Sequence, residues 1–198
     1  QINPHFLFNS LNAGAQLAMM EDAEQTGIFV EKMADFFRYN VKKGQEDATL
    51  GEELEAVDNY IYILNVRFAG DIHFNKDVDE SLENVRVPSM ILQPVVENAV
   101  NHGIRDIEWE GKIHLTVTGD ADYIRISVKD NGKGMTPEQI ESVLSGNKEH
   151  CNEQSDSTGI GMNNVISRLE LYYEEPGLVE INSDGENKGT EVVIYIPV

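Results

Sequence analysis

Three features are scarce in this sequence, and each scarcity excludes a class of protein. The 198 residues include one cysteine, Cys151, which rules out an intramolecular disulfide framework and a multi-cysteine zinc site and suits a reducing compartment. Fifteen lysines and arginines face 35 acidic residues, and the net charge of −20 argues against a nucleic-acid groove or an anionic membrane surface as partner. No apolar run approaches the ~20 residues of a membrane-spanning helix.

The rest of the composition is that of an ordinary globular protein. With 40% hydrophobic and 25% charged residues, the chain can bury one good core or two small ones. It opens on Gln1 and carries no signal peptide, so we expect a fragment of a longer protein.

The first stretch, Gln1 to Asn12, reads Gln-Ile-Asn-Pro-His-Phe-Leu-Phe-Asn-Ser-Leu-Asn. Pro4 lacks a backbone donor, so it either begins a helix or kinks a longer one just before His5. Continued as a helix, the segment presents one polar face, formed by His5, Asn9, Asn12 and Gln16. Taken alone, this pattern favours an ordinary surface histidine beside a helix start.

Two more helices are predicted before Gly70. Apolar residues at helical spacing mark the second, from Phe29 to Val41, which we expect to end near Gly44. Thr49 to Glu52 is a capping-box signature that begins the third. Behind it runs a seam typical of coiled coils: Leu54, Val57, Ile61, Leu64 and Phe68. Three such apolar faces cannot all cover one another, so we expect a second copy of the chain to complete a bundle; the alternative is packing onto the rest of the same chain.

Strands and helices alternate after Gly70. Apolar residues alternate from Ile113 to Val117 and from Ile124 to Val128, which predicts a hairpin. A strand from Val192 to Ile196 is expected to pair with Leu178 to Ser183. Helices are predicted over Pro88 to Ile104, Pro137 to Leu144 and Ile160 to Tyr173. The predicted fold class is α+β: a helical segment, then a two-layer α/β sandwich with helices on one face of a mixed sheet.

The first motif with chemistry in this second unit is Glu97-Asn98 followed by Asn101-His102-Gly103. On a helix, Asn98, Asn101 and His102 lie along adjacent faces and offer two amides and an imidazole to one ligand. An amide oxygen is a suitable ligand for Mg²⁺, which usually keeps several waters and is otherwise held by substrate phosphates.

Two glycine-rich motifs follow. Asp130-Asn131-Gly132-Lys133-Gly134 ends a strand, where a carboxylate can accept a hydrogen bond from an exocyclic amine and the glycines allow close approach of the backbone to a ligand. Thr158-Gly159-Ile160-Gly161 precedes a predicted helix, and free amides at a helix N-terminus favour a phosphate. Each motif alone is weak, but their order and placement together are specific.

In these motifs the chain resembles the cytoplasmic kinase core of a bacterial sensor histidine kinase, of the autolysin-regulator-type subfamily marked by a Pro-His-Phe-Leu-Phe-Asn box. The resemblance covers nearly the whole chain. Its further boxes are Leu92 to Ala99, Asp130 to Met135, Gly159 to Asn163 and Lys188 to Thr190. It implies a Bergerat-type ATP-binding domain of the GHKL superfamily at residues 70–198, after a helical dimerisation and phosphoacceptor segment at residues 1–69.

The resemblance also implies a site. Asn98 would hold Mg²⁺ against the triphosphate of ATP, Asp130 would read the adenine amine, and Thr190 would help to fix the adenine end. The other residues implied to contact the nucleotide are Asn101, His102, Gly132, Gly134, Met135, Gly159, Ile160 and Gly161. A lid would span roughly Thr136 to Thr158. The family often has lysine where Asn101 stands, and His102, Arg105 or Arg168 would have to compensate for that missing charge.

The implied reaction is ATP-dependent phosphorylation of His5, followed by transfer to an aspartate of a response regulator. Neutral His5 would attack the γ-phosphate, with Asn9 one turn away to orient the other ring nitrogen. Glu97 is the candidate base, or else a carboxylate that orders Mg²⁺-bound water. The implied protein is a homodimer and the cytoplasmic domain of a membrane-anchored parent, without membrane contact of its own.

Two other functions stay open at this point. One is an ATP-driven clamp or a protein serine kinase with the same pocket, in which His5 is incidental. The other is a non-enzymatic dimeric scaffold, against which the intact Asn98, Asp130 and paired glycines argue.

Overall fold

The computed structural model describes residues 4–42, 47–68, 72–105, 107–145 and 156–198. The helices are α1 (Pro4–Met20), α2 (Glu24–Lys42), α3 (Leu50–Arg67), α4 (Leu92–Asn98, continued by a π-helical turn, Ala99–Ile104), α5 (Pro137–Ser145) and α6 (Asp156–Tyr173). The strands are β1 (Asp47–Thr49), β2 (Ile72–Val78), β3 (Arg86–Pro88), β4 (Gly111–Gly119), β5 (Tyr123–Asp130), β6 (Val179–Asn182) and β7 (Glu191–Pro197). A short 3-10 helix, Glu80–Leu82, precedes β3.

Five strands form one mixed sheet in the order β2-β4-β5-β7-β6. The predicted hairpin is confirmed, because β4 and β5 pair antiparallel with Leu115 opposite Val128. The predicted pairing of β6 with β7 is confirmed as well, with Ile181 opposite Val192. The strand β2, which the sequence analysis did not identify, lies parallel to β4 at the sheet edge. Its side chains are mostly exposed, so the apolar alternation that marks the other strands is weak there.

One continuous core joins the sheet to the helices that cover it. The inward residues of β4, β5 and β7 are fully or almost fully buried, as Leu115, Ile126 and Ile194 illustrate. They pack with buried residues of α4 and α6, such as Val96 and Leu169. The α+β class and the two-layer sandwich are therefore confirmed.

The third helix begins where the capping box predicts. The Thr49 hydroxyl accepts from the Glu52 amide (3.2 Å), and the Glu52 carboxylate accepts from the Thr49 amide (2.8 Å). Leu54, Val57 and Ile61 of its apolar seam belong to the same buried core as the sheet, as the alternative of packing onto the same chain predicts. The sandwich offers this part of the seam a complementary apolar surface.

The fourth helix begins four residues later than predicted. Pro88 belongs to β3, which pairs antiparallel with β1, and the helix itself starts at Leu92. The buried Glu53 carboxylate of α3 accepts from the amides of Met90, Ile91 and Leu92. This cap from a distant helix fixes the start, which local sequence does not reveal, since Ile91 provides no capping side chain.

The first two helices form a hairpin that packs against α3. Tyr39 of α2 donates a hydrogen bond from its hydroxyl to Glu53. The Phe36 ring of α2 stacks on Tyr60 of α3 at a centroid distance of 5.8 Å. Across the described ranges, no helix is long and apolar enough to cross a membrane.

Candidate functional site

A cavity of about 410 Å³ lies between the helical layer and the sheet. That volume is in the range of pockets for small molecules and cofactors. Its apolar part comes from helices and strands alike: Val95, Ala99, Val128, Val143, Met162, Ile181 and Val192. Polar and glycine residues line the rest: Asn98, Asn101, His102, Gly103, Asp130, Lys133, Gly134, Glu138, Gln139, Ser142 and Thr190, together with Met135. Seven residues of the predicted site therefore meet at one cavity: Asn98, Asn101, His102, Asp130, Gly134, Met135 and Thr190.

Asp130 is the buried carboxylate of this cavity. It ends β5 and is only 6% exposed. Its Oδ1 accepts from the amides of Gly132 (2.8 Å) and Thr190 (3.3 Å), which leaves Oδ2 without a donor among the described residues. Burial raises the pKa of Asp130, and the two amides partly oppose that rise. An oriented acceptor in apolar surroundings discriminates strongly in favour of a ligand that brings a donor.

The loop after Asp130 is locked by backbone contacts that only glycine permits. A Cβ on Gly132 would lie 2.1 Å from the Gly103 carbonyl oxygen. Gly134 has φ +68°, and a Cβ there would lie 2.0 Å from the Gly185 carbonyl oxygen. The Lys133 amide also donates to the Gly103 carbonyl (3.0 Å). Gly132 thus acts through the packing of the loop and through the Asp130 carboxylate, although it does not itself line the cavity.

Hydrogen bonds between the Asp130 loop and the turn before β7 hold Met135 and Thr190. The Met135 amide donates to the Ser183 hydroxyl (3.0 Å), which in turn donates to the Gly189 carbonyl (2.7 Å). The Asp130 amide donates to the Thr190 carbonyl (2.9 Å). These bonds make the Asp130 loop and the turn before β7 one rigid floor.

Asn98 stands at the end of α4, beside the π-helical turn. Its Nδ2 is buried and has no hydrogen-bond partner within the described part of the chain. Among the described residues no cluster of three or more His, Cys, Asp or Glu side chains is suited to bind a metal ion. An amide oxygen such as Asn98 Oδ1 is a ligand that suits Mg²⁺ when waters and substrate phosphates supply the other ligands.

Three further polar residues lie at the cavity, on the π-helical turn and the Asp130 loop. Burial lowers the pKa of His102, and the positive charge of Lys133 lowers it further. Asn101 forms a side-chain hydrogen bond with Tyr60 of α3. Burial raises the pKa of Tyr60 to about 12, and the charge of Glu97 adds to the rise while the bond from Asn101 opposes it.

Sequence reasoning missed two contributors. Lys133 was part of a quoted motif but received no role, and it brings a cation to the cavity lining. Gly103 packs against the carboxylate, since a Cβ there would lie 2.8 Å from the Asp130 Cγ. The position of Lys133 between two glycines of the predicted site could have identified it as a lining residue. No local signal marks Gly103, because its neighbour is 27 residues away.

Three predicted residues lie apart from the cavity lining. The Glu97 carboxylate accepts from the Gln93 amide nitrogen (2.8 Å), one turn earlier on α4. Arg168 of α6 donates to the Ser89 carbonyl in the loop before α4, so its guanidinium holds that loop. Arg105, at the end of the π-helical turn, is exposed and is not among the described lining residues.

The remaining predicted residues lie in two helices. His5 is in the first turn of α1, and its side chain lies outside the described part. The Thr158-to-Gly161 motif does not precede its helix, because α6 already begins at Asp156. An Asp-Ser-Thr sequence is typical of a helix N-terminus and accounts for the earlier start. The side chain of Ile160 is not described, and a Cβ on Gly161 would lie 3.9 Å from the Pro94 Cβ. Of the predicted lid, residues 146–155 lie outside the described ranges.

Comparison with known families identifies the carboxy-terminal unit. Residues 86–198 match the family described as histidine kinase-, DNA gyrase B-, and HSP90-like ATPase. The chain belongs to this ATPase family. Its residues 1–72 match a second family, described as histidine kinase. The two matches together confirm the predicted ATPase superfamily and the predicted likeness to histidine kinases.

Relatives of this ATPase are sensor kinases. The chain is 35% identical to the sensor histidine kinase YpdA of Escherichia coli and 31% identical to the sensor histidine kinase YesM of Bacillus subtilis. It is 30% identical to the sensor protein LytS of Streptococcus agalactiae. Each alignment covers all of this chain but only 33%, 32% and 33% of the respective relative, so the chain spans about a third of the length of these relatives.

Solved structures support the fold of this ATPase. The histidine kinase domain of a blue-light activated kinase from Erythrobacter litoralis superposes with a TM-score of 0.54 at 18% identity, over 98% of this chain and 93% of that one. The mycobacterial sensor histidine kinase MprB superposes with a TM-score of 0.55 at 18% identity, over 77% and 96%. At such identities the likeness concerns the fold alone.

Proposed function

We propose that this chain is the kinase core of a two-component sensor: it transfers the γ-phosphoryl group of ATP to His5 and then to an aspartate of a response regulator. The observation that carries the proposal is the buried Asp130 carboxylate at the floor of a 410 Å³ cavity, in a chain whose first turn of helix bears a histidine. The assignment of residues 1–69 to dimerisation and phosphoacceptance and of residues 70–198 to ATP binding belongs to this proposal.

Nucleotide binding follows from the shape and polarity of the cavity. Adenine enters the apolar part and donates from its exocyclic amine to Asp130 Oδ2, while Thr190 fixes the same end. Met135, Gly132 and Gly134 shape the floor. The triphosphate extends toward Asn98, Asn101 and His102. Gly159, Ile160 and Gly161 lie within the first two turns of α6, so they favour its negative charge through the positive end of the helix dipole rather than through free amides. Lys133 compensates for the lysine absent at position 101.

The metal is Mg²⁺, held by the Asn98 amide oxygen and by the phosphates of ATP. When bound, it neutralises charge that develops on the transferred group. The metal ligand would be Asn98 Oδ1. The buried Nδ2, which has no partner within the described part of the chain, is a donor and suits a phosphate oxygen or a Mg²⁺-bound water.

The chemical step is an in-line displacement. A neutral ring nitrogen of His5 forms a bond to the γ-phosphorus, the bond from that phosphorus to the β,γ-bridging oxygen breaks, and ADP leaves. The ring loses the proton from its other nitrogen, with Asn9 as the orienting acceptor and Glu97 as the proton acceptor. In the alternative role Glu97 orders Mg²⁺-bound water, and its bond from Gln93 is compatible with either.

The biological setting is part of the same proposal. The chain acts as a homodimer, with a response-regulator receiver domain as its partner and no nucleic-acid ligand. It is the cytoplasmic part of a membrane-anchored parent of the subfamily with the Pro-His-Phe-Leu-Phe-Asn box. The apolar residues that α1 and α2 expose support the dimer, and the net charge of −20 argues against nucleic acid.

The experiment is incubation with Mg²⁺ and γ-labelled ATP, comparing the native chain with His5→Gln. We expect an acid-labile, base-stable label that is lost in His5→Gln while ATP binding is unchanged. His114→Gln, which changes an exposed histidine of β4, is the matched control and keeps the label. Label that persists in His5→Gln contradicts the assignment of the acceptor.

The two other functions give different results in this experiment. An ATP-driven clamp or a serine kinase consumes ATP without acid-labile label on the chain. A non-enzymatic scaffold shows no Mg²⁺-dependent ATP binding. A chain that binds ATP but takes no label is tested again as a longer chain with more sequence before Gln1, because the phosphoacceptor helix and dimer contacts can depend on it.

A further inference from the structure

A buried carboxylate outside the cavity joins three parts of the chain. Glu53 of α3 is 0% exposed, and its two oxygens accept four hydrogen bonds. Oε2 accepts from the amides of Ile91 (2.9 Å) and Leu92 (2.8 Å), and Oε1 accepts from the Met90 amide (2.6 Å) and the Tyr39 hydroxyl. A charge that is buried with this many donors is expensive to leave unpaired, so all four groups are held in one geometry.

The segment held by Glu53 leads directly to the candidate metal ligand. Leu92 is the first residue of α4, and Asn98 is its last before the π-helical turn. Met90 has φ +63°, a left-handed conformation that is costly for a residue with a side chain. Arg168 holds the carbonyl of the preceding residue, Ser89, from the other side. The loop is therefore clamped at its amides by α3 and at a carbonyl by α6.

The fourth bond of Glu53 comes from the α1–α2 hairpin. Tyr39 lies on α2, in the hairpin that also carries α1 and His5. Burial raises the pKa of Tyr39, and the charge of Glu53 raises it further, so the phenol remains a donor at every physiological pH. The hydroxyl thus reaches from the phosphoacceptor hairpin to the start of the nucleotide-binding helix.

We propose that Glu53 is a positioning residue for the nucleotide site, and that its bond with Tyr39 couples the packing of the α1–α2 hairpin to the placement of α4 and Asn98. The inference rests on the proposed function and adds the contact through which movement of the hairpin reaches the site. The alternative is that Glu53 only stabilises the fold.

The first arm of the test measures ATP affinity in the presence of Mg²⁺ by calorimetry, on the whole chain and well below the unfolding midpoint. Glu53→Gln keeps the volume but turns one acceptor oxygen into a donor, so it opposes two of the four donors. We expect ATP affinity to fall about tenfold. Val57→Ala, at a fully buried position of the same helix, is the matched control: it lowers the unfolding temperature but keeps ATP affinity. Native-like affinity in Glu53→Gln overturns the proposal.

The second arm uses Tyr39→Phe, which keeps the ring and removes one donor. Glu53 retains its three amides, so we expect ATP affinity within about twofold and a labelling rate of His5 that falls about fivefold, the ratio for one net hydrogen bond. Faster hydrogen exchange at the Met90 to Leu92 amides is expected with it. If the labelling rate and the exchange both equal those of the native chain, the coupling to α2 is refuted.

Each failure has a distinct signature. If Glu53→Gln does not fold, the proposal is tested by Tyr39→Phe alone, through hydrogen exchange at the Met90 to Leu92 amides and the labelling rate of His5. If the native chain binds ATP but takes no label, the proposed function fails, whereas the affinity of Glu53→Gln and the exchange in Tyr39→Phe still test the positioning role. A variant with both Glu53→Gln and Tyr39→Phe tests whether the two residues act together. If its loss of ATP affinity equals the sum of the two single losses in free energy, the two residues do not share a network.

Discussion

The sandwich and the α1–α2 hairpin bury their apolar residues to very different extents. In the sandwich, large side chains such as Leu115 and Ile126 are completely buried. In the described part of the hairpin the fully buried apolar residues are small, Ala18 and Ala34, whereas Leu17 and Met20 are 55% and 82% exposed. The sandwich is thus complete within one chain, while the hairpin has apolar surface left for another one to cover. We therefore expect the proposed nucleotide binding and the proposed self-association to depend on separate parts of the protein.

The largest effect is expected from Gly132→Ala in the floor of the sandwich. A Cβ placed 2.1 Å from a backbone oxygen forces the Asp130 loop away from Gly103. We expect ATP binding to be lost and the free energy of unfolding to fall by about 3 kcal/mol or more. Calorimetry and denaturant unfolding measure the two effects. Gly14→Ala in α1 is the control, because a Cβ there would lie 3.7 Å from Val30 Cγ1, which leaves room for a methyl group, and alanine favours a helix.

Asp130→Asn is expected to weaken ATP binding about tenfold to a hundredfold, since the amide oxygen stays with Gly132 and Thr190 and the NH2 group then opposes the adenine amine with a second donor. The fold is retained, because an amide oxygen can still accept from Gly132 and Thr190. Asp120→Asn, in an exposed turn, is the control and leaves binding unchanged. Equal affinity in the two variants contradicts the role of Asp130.

The same carboxylate gives the native chain a pH dependence with opposite signs for binding and stability. Burial raises the folded pKa of Asp130 above 3.8. ATP affinity therefore falls as the pH drops through that raised pKa. The contribution of Asp130 to the free energy of unfolding is fully present below 3.8 and is lost as the pH rises through the raised value. We expect Asp130→Asn to lack both pH-dependent changes. ATP affinity and the free energy of unfolding, each measured against pH, show them.

In the hairpin, Leu17→Glu combined with Met20→Glu is expected to weaken self-association about tenfold or more, because two exposed apolar side chains become charged. ATP affinity is unchanged, since neither residue contacts the cavity. Sedimentation velocity measures the dimer. Leu171→Glu, at an 81% exposed leucine of α6, is the matched control. Undiminished self-association in the hairpin variant would show that the dimer forms through another surface.

The smallest effect is expected from Thr49→Ala at the junction of the two regions. Loss of the hydroxyl that caps α3 lowers the free energy of unfolding by about 1 kcal/mol. Thermal unfolding measures it, and ATP affinity stays as it is. Glu52→Gln keeps an acceptor for the Thr49 amide and serves as the milder comparison. A loss as large in Glu52→Gln as in Thr49→Ala contradicts the separate contribution of the hydroxyl.

Features that depend on neighbours in sequence were predictable. The capping box at Thr49 and the β4–β5 hairpin follow from residues within a few positions, because caps and alternating side chains act locally. The residues proposed for the nucleotide site were identified through the order of their motifs, and seven of them meet at the cavity. That meeting is compatible with the assigned roles, which remain predictions.

Features that depend on contacts between distant parts of the chain could not be predicted from the sequence. The start of α4 is fixed by Glu53, which lies 38 residues before Ile91. The seam of α3 is covered by the sandwich, although an apolar stripe alone cannot indicate which surface covers it. Gly103 is required because the Asp130 carboxylate packs on it, and Arg168 holds the loop before α4. The sequence by itself determined the helices, the hairpin and the family of this ATPase. Only the tertiary structure decided which buried charge meets which amide, because that pairing depends on the packing of segments far apart in the chain.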